Sequence, residues 1–169
     1  MNYKKDTKKG KYRLINPKKY LGTKYPVYKS KWEQKVFYAL DRNPFVLQWG
    51  YECIEIYYHH PFYGNYTVYY PDILCHVLNE RNQKETILAE IKPASMCVMP
   101  NQPKAPKNRT RQSAERYQKS LRRYQCATKD FQVNAAKWEA AQRWCMRHNV
   151  VWRLIHENNT SGLFKEGSI

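Results

Sequence analysis

The chain has 169 residues, with 30 Lys and Arg against 14 Asp and Glu, giving a formal net charge of +16. That length suits one domain with a core rather than two sizeable ones, and no apolar run approaches the roughly 20 residues of a membrane-spanning helix. Twenty of the basic residues fall within 1–30 and 92–129, beside only two acids, so the excess charge sits in two attachments on a nearly neutral remainder. A polyanion is the expected partner, because each phosphate neutralised releases counterions; a solubilising tail or an acidic protein partner is the weaker alternative. A membrane is excluded as a partner, and the lysine-rich start lacks the apolar stretch of a signal peptide. The five cysteines are scattered without a Cys-x-x-Cys pair, which argues for reduced thiols and against a zinc site.

Residues 1–25 interleave lysine and tyrosine and are broken by Gly10, Pro17 and Gly22, so they are expected to form a basic, partly disordered tail without a core of its own. Such interleaving fits nucleic acid or a neighbouring subunit. At 30–43 the pattern becomes helical, with Trp32, Val36, Phe37 and Leu40 three and four residues apart. Ser30 is the expected N-cap, and Glu33 falls where a capping box would reach back to the Ser30 amide. Glu33 also shares a side with Val36, Phe37 and Leu40, from which it would supply a carboxylate to a site on the sheet. Asn43-Pro44 ends the helix.

Val46 to Trp49 leads into an expected strand at 51–58, and a turn carrying His59 and His60 returns the chain through 66–70. Adjacent side chains of an extended segment point apart, so the two histidines read as turn residues rather than ligands of one ion. Glu52 and Glu55 fall on opposite faces, with Glu52 a candidate for the periphery of a site. An antiparallel hairpin follows: one arm after Pro71-Asp72, a polar turn at 79–84, and a second arm at 85–92. Period-two alternation puts Ile87, Ala89 and Ile91 on one face and Leu88, Glu90 and Lys92 on the other, with Asp72 near the same end. Two carboxylates and an amine in one place suit phosphodiester hydrolysis. Hard oxygen ligands hold magnesium, which polarises the phosphate and acidifies water, while the lysine orients that water. The alternative is an exposed ion pair worth about 0 to 1 kcal/mol.

Prolines at 93, 100, 103 and 106 make 93–112 a stiff irregular loop, long for a compact domain. A basic amphipathic helix is expected at 109–124, a second helix capped by Asp130 at 130–147, and a last strand at 150–156. The residues expected to meet DNA are Lys29, Lys31, Lys104, Lys107, Arg109, Arg111, Arg116, Lys119, Arg122 and Arg123; a solvated face is the plain alternative for the helix. No RNP, KH or dsRBD signature is present, which sets an RNA-binding module last.

The ordered set of Tyr28 to Glu33, Asp41-Arg42-Asn43-Pro44, Trp49, Glu52, Tyr70-Pro71-Asp72 and Glu90-Ile91-Lys92-Pro93 continues through Asn134, Lys137-Trp138, Ala140-Ala141, Cys145 and Ile155-His156-Glu157. It resembles the head-completion nuclease family of tailed phages, within the PD-(D/E)xK superfamily and similar to the endonuclease subunit of heteromeric transposases. The resemblance implies an α/β, restriction-endonuclease-like domain at 26–157, a mixed central sheet flanked by helices, and a C-terminal tail at 158–169. It implies Glu33, Asp72, Glu90 and Lys92 as catalytic residues, with Asp72, Glu90 and Glu33 binding Mg2+, for which Mn2+ can substitute. The implied setting is the host cytoplasm during assembly and the DNA-filled portal and neck, with double-stranded DNA and portal or neck proteins as partners. The competing reading is a structural neck adaptor or plug, set as a ring in the virion. One departure matters: Ala94 to Met99 is more apolar than the basic run expected after the lysine, which favours contact with another protein of the particle.

Overall fold

A computed structural model describes residues 9–108 and 110–159. Helix α1 (Lys31–Arg42) starts where the spacing predicts: the Ser30 side chain accepts from the Glu33 amide, and Asn43, pressed into extended backbone by Pro44, ends it. The strands are β1 (Gly10–Lys11), β2 (Val27–Tyr28), β3 (Val46–Tyr51), β4 (Ile56–His59), β5 (Tyr66–Tyr69), β6 (Ile73–Leu78), β7 (Lys84–Ile91) and β8 (Val151–Ile155), with helix α2 (Arg111–His148) before the last. The central sheet runs β3-β6-β7-β8, antiparallel except for the parallel β7-β8 pair. β1-β2 and β4-β5 are separate two-stranded units. The result is the expected α/β arrangement, a mixed sheet with helices on both faces.

Alternation along the strands divides the core in two. Ile73, Cys75, Val77, Ile87, Ala89 and Ile91 face α1, where Phe37 and Leu40 are fully buried with Trp49. Leu88 faces the opposite way, onto Ala140, Ala141 and Cys145 of α2 and the hairpin residues Ile56, Tyr58 and Tyr69. The polar turn between β6 and β7 is fastened by Asn79, whose side-chain oxygen accepts from the amides of Arg81 and Gln83. Asn82 there takes a positive φ of 56°, which asparagine tolerates better than most residues.

Three sequence expectations are corrected. First, the lysine-rich segment does not behave as a tail from Gly10 onward. It pairs β1 with β2 and buries Tyr12 against Phe37 and Trp49, at ring distances of 5.9 and 6.1 Å. The fully buried Asp41 clamps it, accepting from the Ile15 amide (2.6 Å), the Asn16 amide (3.0 Å) and the Tyr12 hydroxyl (3.2 Å). Residues 1–8 and 160–169 lie outside the described residues.

Second, the strand expected at 51–58 is interrupted: Glu52 adopts a left-handed φ of 49° and its amide donates to the Asp72 carbonyl at 3.1 Å. The chain thereby leaves the main sheet and re-forms as β4 beside β5. Third, the two helices expected at 109–124 and 130–147 are one. No Gly or Pro interrupts 111–148, and Asp130 is an exposed mid-helix residue rather than a cap. The helix ends at His148, one residue past the expected Arg147, with Asn149 in the left-handed conformation.

Asp41→Ala leaves two part-buried backbone amides and the buried Tyr12 hydroxyl without their acceptor. At about 1 to 3 kcal/mol per unsatisfied buried group, partly relieved by water, the variant is expected to lose about 3 kcal/mol in urea denaturation, with residues 10–28 becoming protease-sensitive.

Candidate active site

The β6-β7 register pairs Ile73 with Ala89, and continuing it by one residue sets Asp72 opposite Glu90. Both are buried, at 8% and 4% exposure. Asp72 Oδ2 accepts from the Ile91 amide at 2.8 Å, which fixes the carboxylate across the strand pair. Glu90 is held at both oxygens: Oε1 meets Lys92 Nζ at 2.6 Å, and Oε2 accepts from the Tyr69 hydroxyl at 2.6 Å. The Lys92 amide donates to the Ile155 carbonyl, so the parallel strand β8 anchors the lysine's backbone.

The electrostatics follow from this placement. Burial, and then the charge on Glu90, pushes the Asp72 carboxyl from the ordinary 3.8 up to about 8, against the opposing pull of Lys92 and the Ile91 amide. Burial alone would lower the Lys92 ammonium, but Glu90, Asp72 and Glu33 outweigh it and hold the group above its ordinary value. Burial and then Glu90 raise the Tyr69 hydroxyl far above its ordinary range, so it remains a donor.

Glu33 belongs to the layer on the other face of the sheet. Its carboxylate accepts from the Lys29 amide (2.7 Å) and the Ser30 hydroxyl (3.1 Å), so the capping role is realised, on the amide before the one expected. Its charge nonetheless acts on both Asp72 and Lys92. Among the described residues no three His, Cys, Asp or Glu side chains are grouped to hold one ion. The fold brings Asp72, Glu90 and Lys92 together and leaves Glu33 at their edge.

The donor set fits a hard divalent cation: two buried carboxylates, one raised by burial and then by its neighbour's charge, with one ammonium to offset them.

Sequence reasoning missed Lys137 and Tyr69 as members of this site. Lys137 of α2 lies 5.6 Å from the ring centroids of both Tyr58 and Tyr69. Burial lowers its ammonium, and the charges of Glu90, Lys92 and Asp72 all act on it. The available signal was a lysine between Val133 and Ala140 on the apolar side of the helix. His60 opens the turn as expected, its ring stacked on Tyr63, but His59 is corrected: it is the last residue of β4, paired with Tyr66 and edge-on to that ring.

The residues expected to contact DNA are dispersed. Lys104, Lys107, Arg111, Arg116, Lys119, Arg122 and Arg123 are exposed on the loop and the first half of α2, with Arg111 paired to Glu115. Lys31 is exposed at the start of α1, and Lys29 is held on Glu52 at 2.9 Å. Arg109 lies outside the described residues.

Residues 43–157 match the family model described as TnsA-like endonuclease N terminal. Over 160 residues the chain is 28% identical to the head completion nuclease of Enterobacteria phage T4, covering 94% of this chain and 97% of that protein. No solved structure matches.

An acid whose folded pKa lies above its unfolded value binds its proton more tightly when folded. The stability this gives is fully present below the unfolded value and is lost as pH rises through about 8. Metal-free wild type is therefore expected to weaken between pH 4 and about 8, as read from urea midpoints. Asp72→Asn, which keeps an acceptor for the Ile91 amide, is expected to flatten that slope and to be the more stable protein above pH 8.

Proposed function

This chain belongs to the TnsA-like endonuclease N-terminal family, and from that premise we propose that it is a divalent-metal-dependent DNA endonuclease of the PD-(D/E)xK type. The observation that carries the proposal is the β6-β7 register, which sets Asp72 against Glu90 with Lys92 on the same face. Asp72 and Glu90 would hold Mg2+ or Mn2+, with Glu33 completing or orienting the set. When bound, such an ion supplies positive charge at the phosphate and makes water more acidic. The chain's own groups do the positioning. The Ile91 amide fixes Asp72, the Tyr69 hydroxyl fixes Glu90, and the Lys92 ammonium stands where it orients the attacking water or offsets charge on the phosphate.

The relative's name supports placing this activity in head completion of a tailed phage. We place it in the host cytoplasm during assembly, near the portal and neck, with packaged double-stranded DNA as substrate and the exposed Lys104, Lys107, Arg111, Arg116, Lys119, Arg122 and Arg123 along its backbone. An adaptor role in the neck is favoured by one observation: Met96, Val98 and Met99, directly after the lysine motif, are exposed apolar residues that suit a protein partner. In that reading the protein is a ring component of the virion, and its copy number in purified particles decides it. A stoichiometric ring supports the adaptor; absence from particles removes it.

Asp72→Ala and Lys92→Ala are expected to lower Mg2+-dependent cutting of linear duplex DNA by about 100- to 10,000-fold while leaving DNA binding at matched low salt intact. Wild type that binds DNA yet never cuts it, with either metal, would sink the nuclease reading. Glu33→Gln separates the two roles of that residue, because glutamine serves a capping box equally well. Its thermal midpoint should stay near wild type while its cutting rate falls at least about tenfold, the loss of one preorganised charge.

A further inference from the structure

A groove of about 700 Å³ opens beside the site, between residues 20–29 of the N-terminal strap and the end of β3. Tyr20, Tyr25, Tyr51 and Tyr70 line it, with Lys24 and Lys29. That volume lies in the ~300–1,000 Å³ range of sites that enclose a small molecule or one nucleotide-sized group. Two of the tyrosines are braced. Tyr20 packs against Trp49 at 4.9 Å, and the Tyr51 hydroxyl bonds Glu52 Oε1 at 2.8 Å under the Lys29 ammonium. The other two are exposed, Tyr25 at 64% and Tyr70 at 44%, the Tyr70 hydroxyl donating to the Glu55 carboxylate.

The groove and the site share their wall. Lys29, which lines the groove with its side chain, donates its amide to Glu33. Glu52, also in the lining, donates its amide to the carbonyl of Asp72, and does so from the left-handed conformation that a non-glycine residue adopts only under constraint. Tyr70 lies two residues before Asp72. The lining is therefore joined to Asp72 and Glu33 by backbone hydrogen bonds, which sets the groove beside the candidate site.

Aromatic faces interleaved with lysines are the chemistry that recognises an unstacked base and its phosphate. A base within an intact duplex has both faces covered and cannot offer one to a tyrosine. We propose that this groove takes one unpaired nucleotide of the DNA strand being cut. The protein then selects phosphates beside an unpaired base, at a frayed end, gap or fork, over the interior of intact duplex. This rests on the endonuclease reading and names the substrate class of the same site.

The test uses full-length Asp72→Asn protein, which is not expected to cut. The probes are a fork and a blunt duplex of the same sequence, the fork carrying 2-aminopurine as its first unpaired base. The fork is expected to bind at least about tenfold more tightly than the duplex, the worth of one stacked base, with the 2-aminopurine fluorescence quenched. Tyr25→Ala and Tyr70→Ala should each reduce that preference and restore fluorescence, with blunt-duplex affinity unchanged, and Tyr25→Phe should retain both. Equal affinity for fork and duplex, or tyrosine variants that weaken both alike, overturns the proposal. Wild-type protein that cuts none of these DNAs overturns the endonuclease reading instead, without touching the binding result.

Discussion

Two carboxylates of like charge, buried opposite one another on paired strands, cost free energy that the rest of the fold is arranged to contain. Asp72 and Glu90 are brought together by strand register, which sequence specifies strongly because a one-residue slip would turn Ile87, Ala89 and Ile91 out of the α1-facing core. The packing that sets the sheet in place is therefore what forces the acids together. Their neighbours reduce the cost: the Ile91 amide on Asp72, Lys92 and the Tyr69 hydroxyl on Glu90, and Lys137 behind the tyrosine rings. A buried group of this kind is poor evidence for stability and better evidence for chemistry.

The site sits where the two cores meet. α1 and the strap cover one face of the sheet, α2 and the β4-β5 hairpin the other, and the end of the β6-β7 pair receives groups from both. Glu33 comes from one layer, Tyr69 and Lys137 from the second, and the Lys92 backbone is secured by β8. No single element holds the arrangement. It needs the parallel β8 strand, which only the long return through α2 can deliver.

Much of this was legible in the sequence where a period was clean. The hairpin faces, the start of α1 at Ser30 and the end of α2 at Asn149 follow from alternation, capping and a helix stop. The strap was not legible, because its lysines mask the few residues that seat it. Tyr12 and Asp41 are far apart in the chain, and nothing local says that one bonds the other. The break at Glu52 was hidden for a related reason: a left-handed glutamate has no sequence signature, and only the carbonyl of Asp72 explains it. Asp130 misled because a good capping residue is also tolerated on an exposed helix face. Lys137 was visible as a charge on an apolar stripe, but what lies opposite it depends on the tertiary fold.

The continuity of α2 has a metric consequence. At 1.5 Å per residue, the 21 positions from Lys137, at the site, back to Arg116 on the exposed basic half span about 32 Å. Because no glycine or proline interrupts the rod, that separation is fixed rather than averaged over a hinge. A duplex lying along it would advance about nine base pairs, close to one helical turn, between the two points. Were DNA seated on its basic half, the long helix would act as a ruler, setting where along that DNA the candidate site falls.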